Sequence, residues 1–175
     1  MKSCFQLLLT LITITLSIGC NQVTQNESAK DTLDIMPKAE WEYKISNDEM
    51  YDTKVHFARI HSDTSDDNGI GLMNILIRHR DDDGNQVFLA LNYSSFDFGY
   101  GKRNYVLVRF DKEALIKYTV RPLESAGNES VGFSKPNDFI KKAKTAKTIL
   151  IEAPIFNESI RLFKFEMDNP LKWDY

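Results

Sequence analysis

The chain has 175 residues, of which 42% are hydrophobic and 27% are charged, a balance typical of one ordinary globular domain. Its 22 lysines and arginines stand against 25 aspartates and glutamates, so the formal net charge is −3. Nucleic-acid-binding domains usually carry a basic excess, and this composition therefore argues against a nucleic-acid partner. Eight glycines, five prolines and two cysteines also exclude the collagen-like and disulfide-rich classes.

The first 19 residues have the pattern of a bacterial export signal. Lys2 gives a positive start, and the uncharged stretch that follows is largely apolar and too short for a comfortable membrane span. The stretch ends in Leu16-Ser17-Ile18-Gly19-Cys20, which resembles a bacterial lipobox. In proteins with this signal the cysteine is lipidated, so we expect residues 1–19 to be removed and Cys20 to carry the lipid. A plain secretory signal and an uncleaved anchor are the alternatives.

Residues 20–40 form a polar segment with no sustained apolar period, which predicts a flexible tether. Such a segment reaches roughly 25 Å from the bilayer that would hold the acylated Cys20. In lipoproteins that this chain resembles, aspartate after the lipidated cysteine tends to hold the protein at the inner membrane. Asn21 occupies that position here, which favours a lipid anchor in the outer membrane facing the periplasm. Cleavage also removes Cys4, so the domain must be stabilised by its own core without a disulfide.

From Trp41 onward, short apolar runs alternate with turn signals, a pattern typical of an antiparallel β domain. One helix is predicted to begin at Pro136, a residue suited to a first helical turn. Its buried face consists of four apolar residues at helical spacing, namely Phe139, Ile140, Ala143 and Ala146. The predicted strands cover residues 41–45, 53–61, 70–79, 86–93, 105–111, 115–123, 131–133, 148–155 and 159–167. We therefore predict a single mainly β domain over residues 41–175, an antiparallel β-sandwich or partly open barrel with one α-helix.

The third and fourth predicted strands carry the clearest local signals. The third is apolar on both of its faces, which favours a central strand covered on both sides. Asp83-Gly84 follows it and predicts a hairpin turn, because glycine accepts a positive φ at little cost. The return strand has alternate residues that should share one face, namely Val87, Leu89, Leu91 and Tyr93.

The strand over residues 105–111 places Val106, Val108 and Phe110 on one face and Arg109 on the other. We expect Arg109 to be exposed and to pair with Asp111 or a neighbouring strand, a contribution of roughly 0–1 kcal/mol. If the helix covered this face instead, Arg109 would be buried and its loss would cost about 3–5 kcal/mol.

Residues 94–104 combine aromatic side chains with two cations, a composition that recurs at binding surfaces. Five residues of this segment form the candidate partner-binding set, namely Phe96, Phe98, Tyr100, Lys102 and Arg103. The alternative is that Phe96 and Phe98 alternate along an irregular strand and point into the core.

No recognised catalytic or cofactor-binding pattern is present in the sequence. There is no Gly-x-Ser-x-Gly elbow, and no glycine-rich phosphate loop joins a strand to a helix. His61 and His79 end adjacent predicted strands and could approach each other, but no third metal ligand accompanies them. The aspartates within residues 63–69 and 81–83 fit turns better than a calcium loop. We therefore expect no enzymatic activity, no cofactor and no bound metal.

The order of parts from Trp41 to Trp173 resembles small exported accessory proteins of type VI secretion systems. The shared features are a leading tryptophan, a strand that ends in arginine, a strand of the form Val-x-Val/Tyr-Arg-x-Asp, and a Phe-Ile helix before an apolar strand. In this chain they are Trp41, Ile75-Leu76-Ile77-Arg78, Val106-Leu107-Val108-Arg109-Phe110-Asp111, Phe139-Ile140 and Ile149-Leu150-Ile151. His79 stands where the family pattern has a cysteine. The resemblance implies a β domain with an accessory role in secretion.

Two functions follow as hypotheses. The first is a membrane-anchored lipoprotein with a non-enzymatic binding or accessory role at the cell envelope. Its partners would be the lipid bilayer, through acylated Cys20, and another envelope protein. The second is an immunity or exclusion lipoprotein that inhibits an incoming toxin, lysozyme or phage, because an acidic domain complements a basic enzyme. A hydrolase is a third class and would require a pocket of paired polar groups.

Overall fold

The computed structural model describes residues 38–63, 72–99, 101–123 and 127–175. The predicted signal peptide, Cys20 and nearly all of the tether lie outside these residues, as does most of the predicted loop over residues 63–69. Among the described residues, no helix has the length and apolar character needed to cross a membrane.

Nine antiparallel strands form one sheet that does not close on itself, and one α-helix accompanies them in the described part of the chain. The elements are β1 (Glu42–Asp48), β2 (Thr53–His61), β3 (Met73–Arg80), β4 (Gly84–Leu91), β5 (Tyr105–Phe110), β6 (Ile116–Pro122), β7 (Ser130–Phe133), α1 (Pro136–Ala143), β8 (Thr148–Pro154) and β9 (Ile160–Glu166). Across the sheet the strands follow the order β1-β2-β3-β4-β7-β6-β5-β8-β9. The mainly β, antiparallel fold class predicted from the sequence is confirmed.

Side-chain alternation sorts one face of the sheet into a continuous core. In β5, Val106, Val108 and Phe110 are buried, whereas Arg109 is exposed, as predicted. The helix packs on the same inner face, because the Phe139 ring lies 5.3 Å from that of Phe110. Burying each such large side chain stabilises the fold by roughly 1.5–3 kcal/mol. The outer face that carries Arg109 is therefore not the face on which α1 packs.

The two edges of the sheet meet at one end, and we call this contact the β1–β9 seam. Ala39 N–H donates to the Glu166 carbonyl at 2.8 Å, and Asp63 N–H donates to the Lys164 carbonyl at 2.7 Å. The Asp63 carboxylate also accepts from Glu166 N–H at 2.6 Å, while its other oxygen is buried without a hydrogen-bond partner. Burial is the main cause that raises the pKa of Asp63. The seam is thus joined by two main-chain hydrogen bonds and by one carboxylate whose charged form is disfavoured by burial.

Residues 168–175, which we call the tail, run from β9 across the inner side of the sheet. Lys172 N–H donates to the Tyr43 hydroxyl of β1 at 2.9 Å, and Leu171 N–H donates to the Ala143 carbonyl of α1 at 3.2 Å. Leu171 and Trp173 are only 2% and 3% exposed. The tail therefore adds apolar core between the helix and the first strands.

Two predictions about the third and fourth strands require correction. Tyr93 does not share the inner face of β4, because the strand ends at Leu91 and Tyr93 turns away with φ of 63° and 97% exposure. β3 is not covered on both sides, since Leu76 on its outer face is only partly buried. The predicted hairpin between β3 and β4 is confirmed. Gly84 adopts φ of 69° directly after a three-residue turn and pairs with Arg80.

Candidate functional site

The aromatic segment before β5 is mostly part of the core. Phe96 and Phe98 are 1% and 7% exposed, and their rings stack at 5.4 Å. Phe96 forms an isolated bridge with Ile155 just after β8, which pulls the segment onto the sheet. The proposed surface role of these two phenylalanines is therefore corrected, and the alternative that they point into the core describes them.

The two cations of the predicted set, Lys102 and Arg103, form ion pairs within the domain. Lys102 pairs with Asp97 at 2.6 Å and stays half exposed. The Arg103 guanidinium donates to the Tyr105 carbonyl at 2.8 Å and to the Glu152 carboxylate at 3.1 Å, so it clamps β5 to β8. Tyr100 lies outside the described residues. The predicted set therefore does not assemble into an exposed aromatic surface.

A groove of about 660 Å³ opens elsewhere, between β6 and α1, and we call it the β6–α1 groove. It arises because β7 stops at Phe133 and Pro136 begins the helix soon afterwards. Proline lacks the N–H that an interior strand must donate, so β7 cannot be extended along β6. Only residues 120–122 of β6 pair with β7. The first half of β6 is left without a strand on that side.

Main-chain groups of β6 face the β6–α1 groove, and we call Lys117 and Thr119 the open edge. Val120 N–H donates to the Asn104 carbonyl on the β5 side, at 2.9 Å. Ser134 N–H donates to the Thr119 carbonyl on the opposite side, at 3.0 Å. Because main-chain groups alternate in direction along a strand, Lys117 N–H, Lys117 C=O and Thr119 N–H point into the groove. Within the described residues, no backbone hydrogen bond reaches these three groups there.

The side chains around the groove are predominantly basic. The Lys142 ammonium lies 2.5 Å from the Glu113 carboxylate, and the Lys117 ammonium lies 3.8 Å from the centre of the Tyr105 ring on the outer face. The charged lining consists of Lys117, Lys135, Lys141 and Lys142 against Glu113 and Asp138. This local excess of positive charge stands on a chain whose net charge is −3. The groove therefore favours an anionic ligand.

Tyr118 contributes the polar tip of an otherwise aromatic wall. Its ring stacks on Phe133 at 5.2 Å and meets the edge of Phe139 at 5.9 Å. Burial, reinforced by Asp138 and Glu113, raises the pKa of Tyr118 to about 12. The hydroxyl thus keeps its proton at neutral pH and can donate a hydrogen bond, but it is not a base.

A second polar cluster joins the tail to three strands. Its strand residues are His56 near the start of β2, His79 near the end of β3 and Asn85 near the start of β4. The Tyr175 ring lies 4.1 Å from that of His56 and 5.1 Å from that of His79. Asn85 accepts from the Trp173 indole N–H at 3.0 Å and donates to the Tyr175 carbonyl at 2.9 Å. These contacts fasten the tail, and they give the histidines a packing role.

The predicted approach of His61 to His79 is wrong. His79 is opposite His56 in the β2–β3 register, whereas His61 is opposite Asn74 at the other end of the pair. Among the residues that the structure describes, no group of three potential ligands could hold a metal ion.

Comparison of the chain with protein-family models, curated proteins and solved structures finds no match. The β6–α1 groove was missed at the sequence level, although one signal for it exists. The predicted strand over residues 131–133 is short and Pro136 follows it, so it cannot cover the whole of a longer neighbour, and the strand order shows that β6 is this neighbour.

Proposed function

We propose that this chain is a membrane-anchored lipoprotein with a non-enzymatic binding role at the cell envelope, and that its partner binds in the β6–α1 groove. The lipobox-like motif that ends in Cys20 supports the anchor. The open edge of β6 is the observation that carries the binding role, because unpaired main-chain groups at a sheet edge are a template for pairing with another chain. The lysines that flank it oppose pairing with neutral or basic strands and leave an acidic segment as the favoured partner. The resemblance to type VI secretion accessory proteins supports a partner from a secretion apparatus.

The anchor is tested by substitution of the lipidated residue. Cys20→Ser should abolish incorporation of labelled palmitate and should release or misprocess the protein, whereas Cys4→Ser should leave palmitate incorporation intact. Membrane fractionation of both variants provides the measurement. A wild-type chain that is cleaved correctly yet remains soluble would contradict the proposal.

The binding role is tested by photo-crosslinking in cells. A photoreactive residue at position 141 should yield a discrete adduct with an envelope protein, and Lys135→Glu in the same chain should weaken it. The matched control is a photoreactive residue at position 54, where an exposed lysine of β2 lies outside the groove lining. Absence of an adduct at position 141, or equal adducts at both positions, would overturn the assignment of the groove.

One observation favours the second candidate, an immunity or exclusion lipoprotein. The β3–β4 turn presents Asp81, Asp82 and Asp83, whose side chains are 79%, 49% and 45% exposed. Arg80 pairs with Asp82 at 2.9 Å, and Arg78 lies 3.6 Å from Asp83. Among the described residues, Asp81 is therefore the carboxylate of this turn that faces no arginine. An exposed carboxylate at the end of a hairpin would attract a basic toxin or lysozyme. The full chain should then inhibit a basic lysozyme, and Asp81→Asn with Asp83→Asn should relieve that inhibition. Unchanged lysozyme activity at saturating protein would remove lysozyme from this candidate's targets.

A further inference from the structure

We infer that the β6–α1 groove takes an extended acidic peptide segment of the partner, which adds to the open edge of β6 as a short strand. The inference rests on the proposed binding role and names the chemistry of the ligand. It goes beyond general charge attraction because it requires a peptide main chain.

The main chain of β6 offers a donor, an acceptor and a further donor on one side. These groups are Lys117 N–H, Lys117 C=O and Thr119 N–H, and they lie on the side from which Ser134 N–H reaches Thr119. An extended peptide presents the complementary alternation, which is how peptides add to exposed sheet edges. Opposite residues 116–119 it would span about 13 Å at ~3.3 Å per residue. It would continue the line that β7 leaves at Phe133.

Charge around the open edge selects acidic side chains. Lys117 lies on the outer face of the sheet, over Tyr105, whereas Lys135 and Lys141 belong to the helix side of the groove. Alternate side chains of an added strand point to opposite faces. Acidic residues on either face of the peptide would therefore find a cation. Lys142 already offsets the charge of Glu113. The remaining charged lining keeps a positive excess, namely Lys117, Lys135 and Lys141 against Asp138.

The test uses the full chain in detergent micelles and a synthetic probe. The probe is a capped eight-residue peptide in which glutamate alternates with valine or threonine. Hydrogen–deuterium exchange, resolved to single amides, should show slower exchange at Lys117 and Thr119 on saturation, by roughly tenfold. Amides of β1, which is also an edge strand, should keep their exchange rates and serve as the internal control.

Two matched probes separate hydrogen bonding from charge. Alternate N-methylation of the peptide keeps its charge, removes the main-chain donors and should weaken binding by about tenfold. Lys135→Glu with Lys141→Glu in the protein should weaken the unmodified peptide by roughly tenfold, whereas Lys54→Glu should not. Modification of the peptide leaves the protein fold untouched.

Each outcome decides between the two proposals. If the N-methylated peptide or inorganic triphosphate binds as well as the probe, strand addition is overturned, although the groove still binds anions. If position 141 crosslinks to an envelope partner but the probe leaves Lys117 and Thr119 exchanging freely, the binding role stands and the peptide chemistry is wrong. If both experiments fail, both proposals fall.

Discussion

The sheet is interrupted at two places, the β1–β9 seam and the β6–α1 groove. Main-chain hydrogen bonds cross the first, whereas none joins β6 to α1 in the described residues. At the β1–β9 seam, main-chain bonds join Ala39 to Glu166 and Asp63 to Lys164, and the tail that follows β9 donates to Tyr43 of β1. At the β6–α1 groove, half of β6 keeps unpaired main-chain groups, and lysines surround them.

Side-chain chemistry determines whether a break in a sheet is closed. The tail reinforces the seam because Lys172 N–H donates to Tyr43 of β1. The burial of Leu171 and Trp173 offsets the entropy of ordering the tail in that position. The helix cannot close the other break, because the side it turns to the groove carries charged residues rather than apolar ones, namely Asp138, Lys141 and Lys142. A closed break stabilises the fold, and an open one remains accessible to a ligand.

Trp173 anchors the tail, and its removal tests how much the tail stabilises the fold. Trp173→Ala should lower the free energy of unfolding by about 3–5 kcal/mol, because a buried indole and its hydrogen bond to Asn85 are lost. Urea denaturation measures the change. The matched control at the groove is Lys141→Ala, which should change stability by less than about 0.5 kcal/mol. Equal effects of the two variants would mean that the breaks do not differ in this way.

The groove has its own signature at alkaline pH. The folded-state pKa of Tyr118, about 12, exceeds the ordinary value of 10.0, so ionisation is disfavoured in the folded state. Stability should therefore fall as pH rises from about 10 to about 12. An ultraviolet titration should show that one of the seven tyrosines ionises last and that Tyr118→Phe removes this step. Simultaneous ionisation of all seven would contradict the burial of Tyr118.

A smaller effect distinguishes the seam at acidic pH. Burial raises the pKa of Asp63, so the folded state holds this proton more tightly than the unfolded chain does. The contribution of Asp63 to stability is thus fully present below its unfolded pKa and is lost as pH rises through the folded value. Asp63→Asn should remove this loss while keeping an acceptor for Glu166 N–H. Urea midpoints of both proteins across acidic pH measure it, and a difference that does not vary with pH would count against it.

The smallest expected effect lies on the uninterrupted outer face. Arg109→Ala should change the free energy of unfolding by less than about 1 kcal/mol, because the side chain is exposed. Thermal unfolding suffices as the measurement. A loss of several kcal/mol would require a cover over this face and would revise the position assigned to α1.

Elements with a sustained period could be predicted from the sequence. β2 was predicted over its observed residues, and the buried face of α1 was predicted through Phe139 and Ile140, because each pattern is local. Tyr93 was assigned to the wrong face because alternation cannot reveal a positive φ that ends the strand. The alternating pattern extends two residues beyond the end of β4.

The candidate functional surface depends on contacts between distant parts of the chain. The burial of Phe96 requires its bridge to Ile155, which no local pattern predicts. The open edge at Lys117 requires the knowledge that β6 lies between β5 and the short β7. Sequence patterns indicate what each strand buries, but strand order decides which edges remain unpaired.

The entry of the chain at the seam has a mechanical consequence. A force applied to the chain before Lys38 would act first on the Ala39 hydrogen bond and on the ion pair between Lys38 and Asp168. It would then peel β1 away from β2 one residue pair at a time, starting at Glu42 and Arg59. Since β2, β3, β4 and β7 lie between β1 and β6, detachment of β1 would leave the strand pairs beside the groove intact. A ligand bound in the β6–α1 groove would therefore keep its contacts while β1 separates from β2.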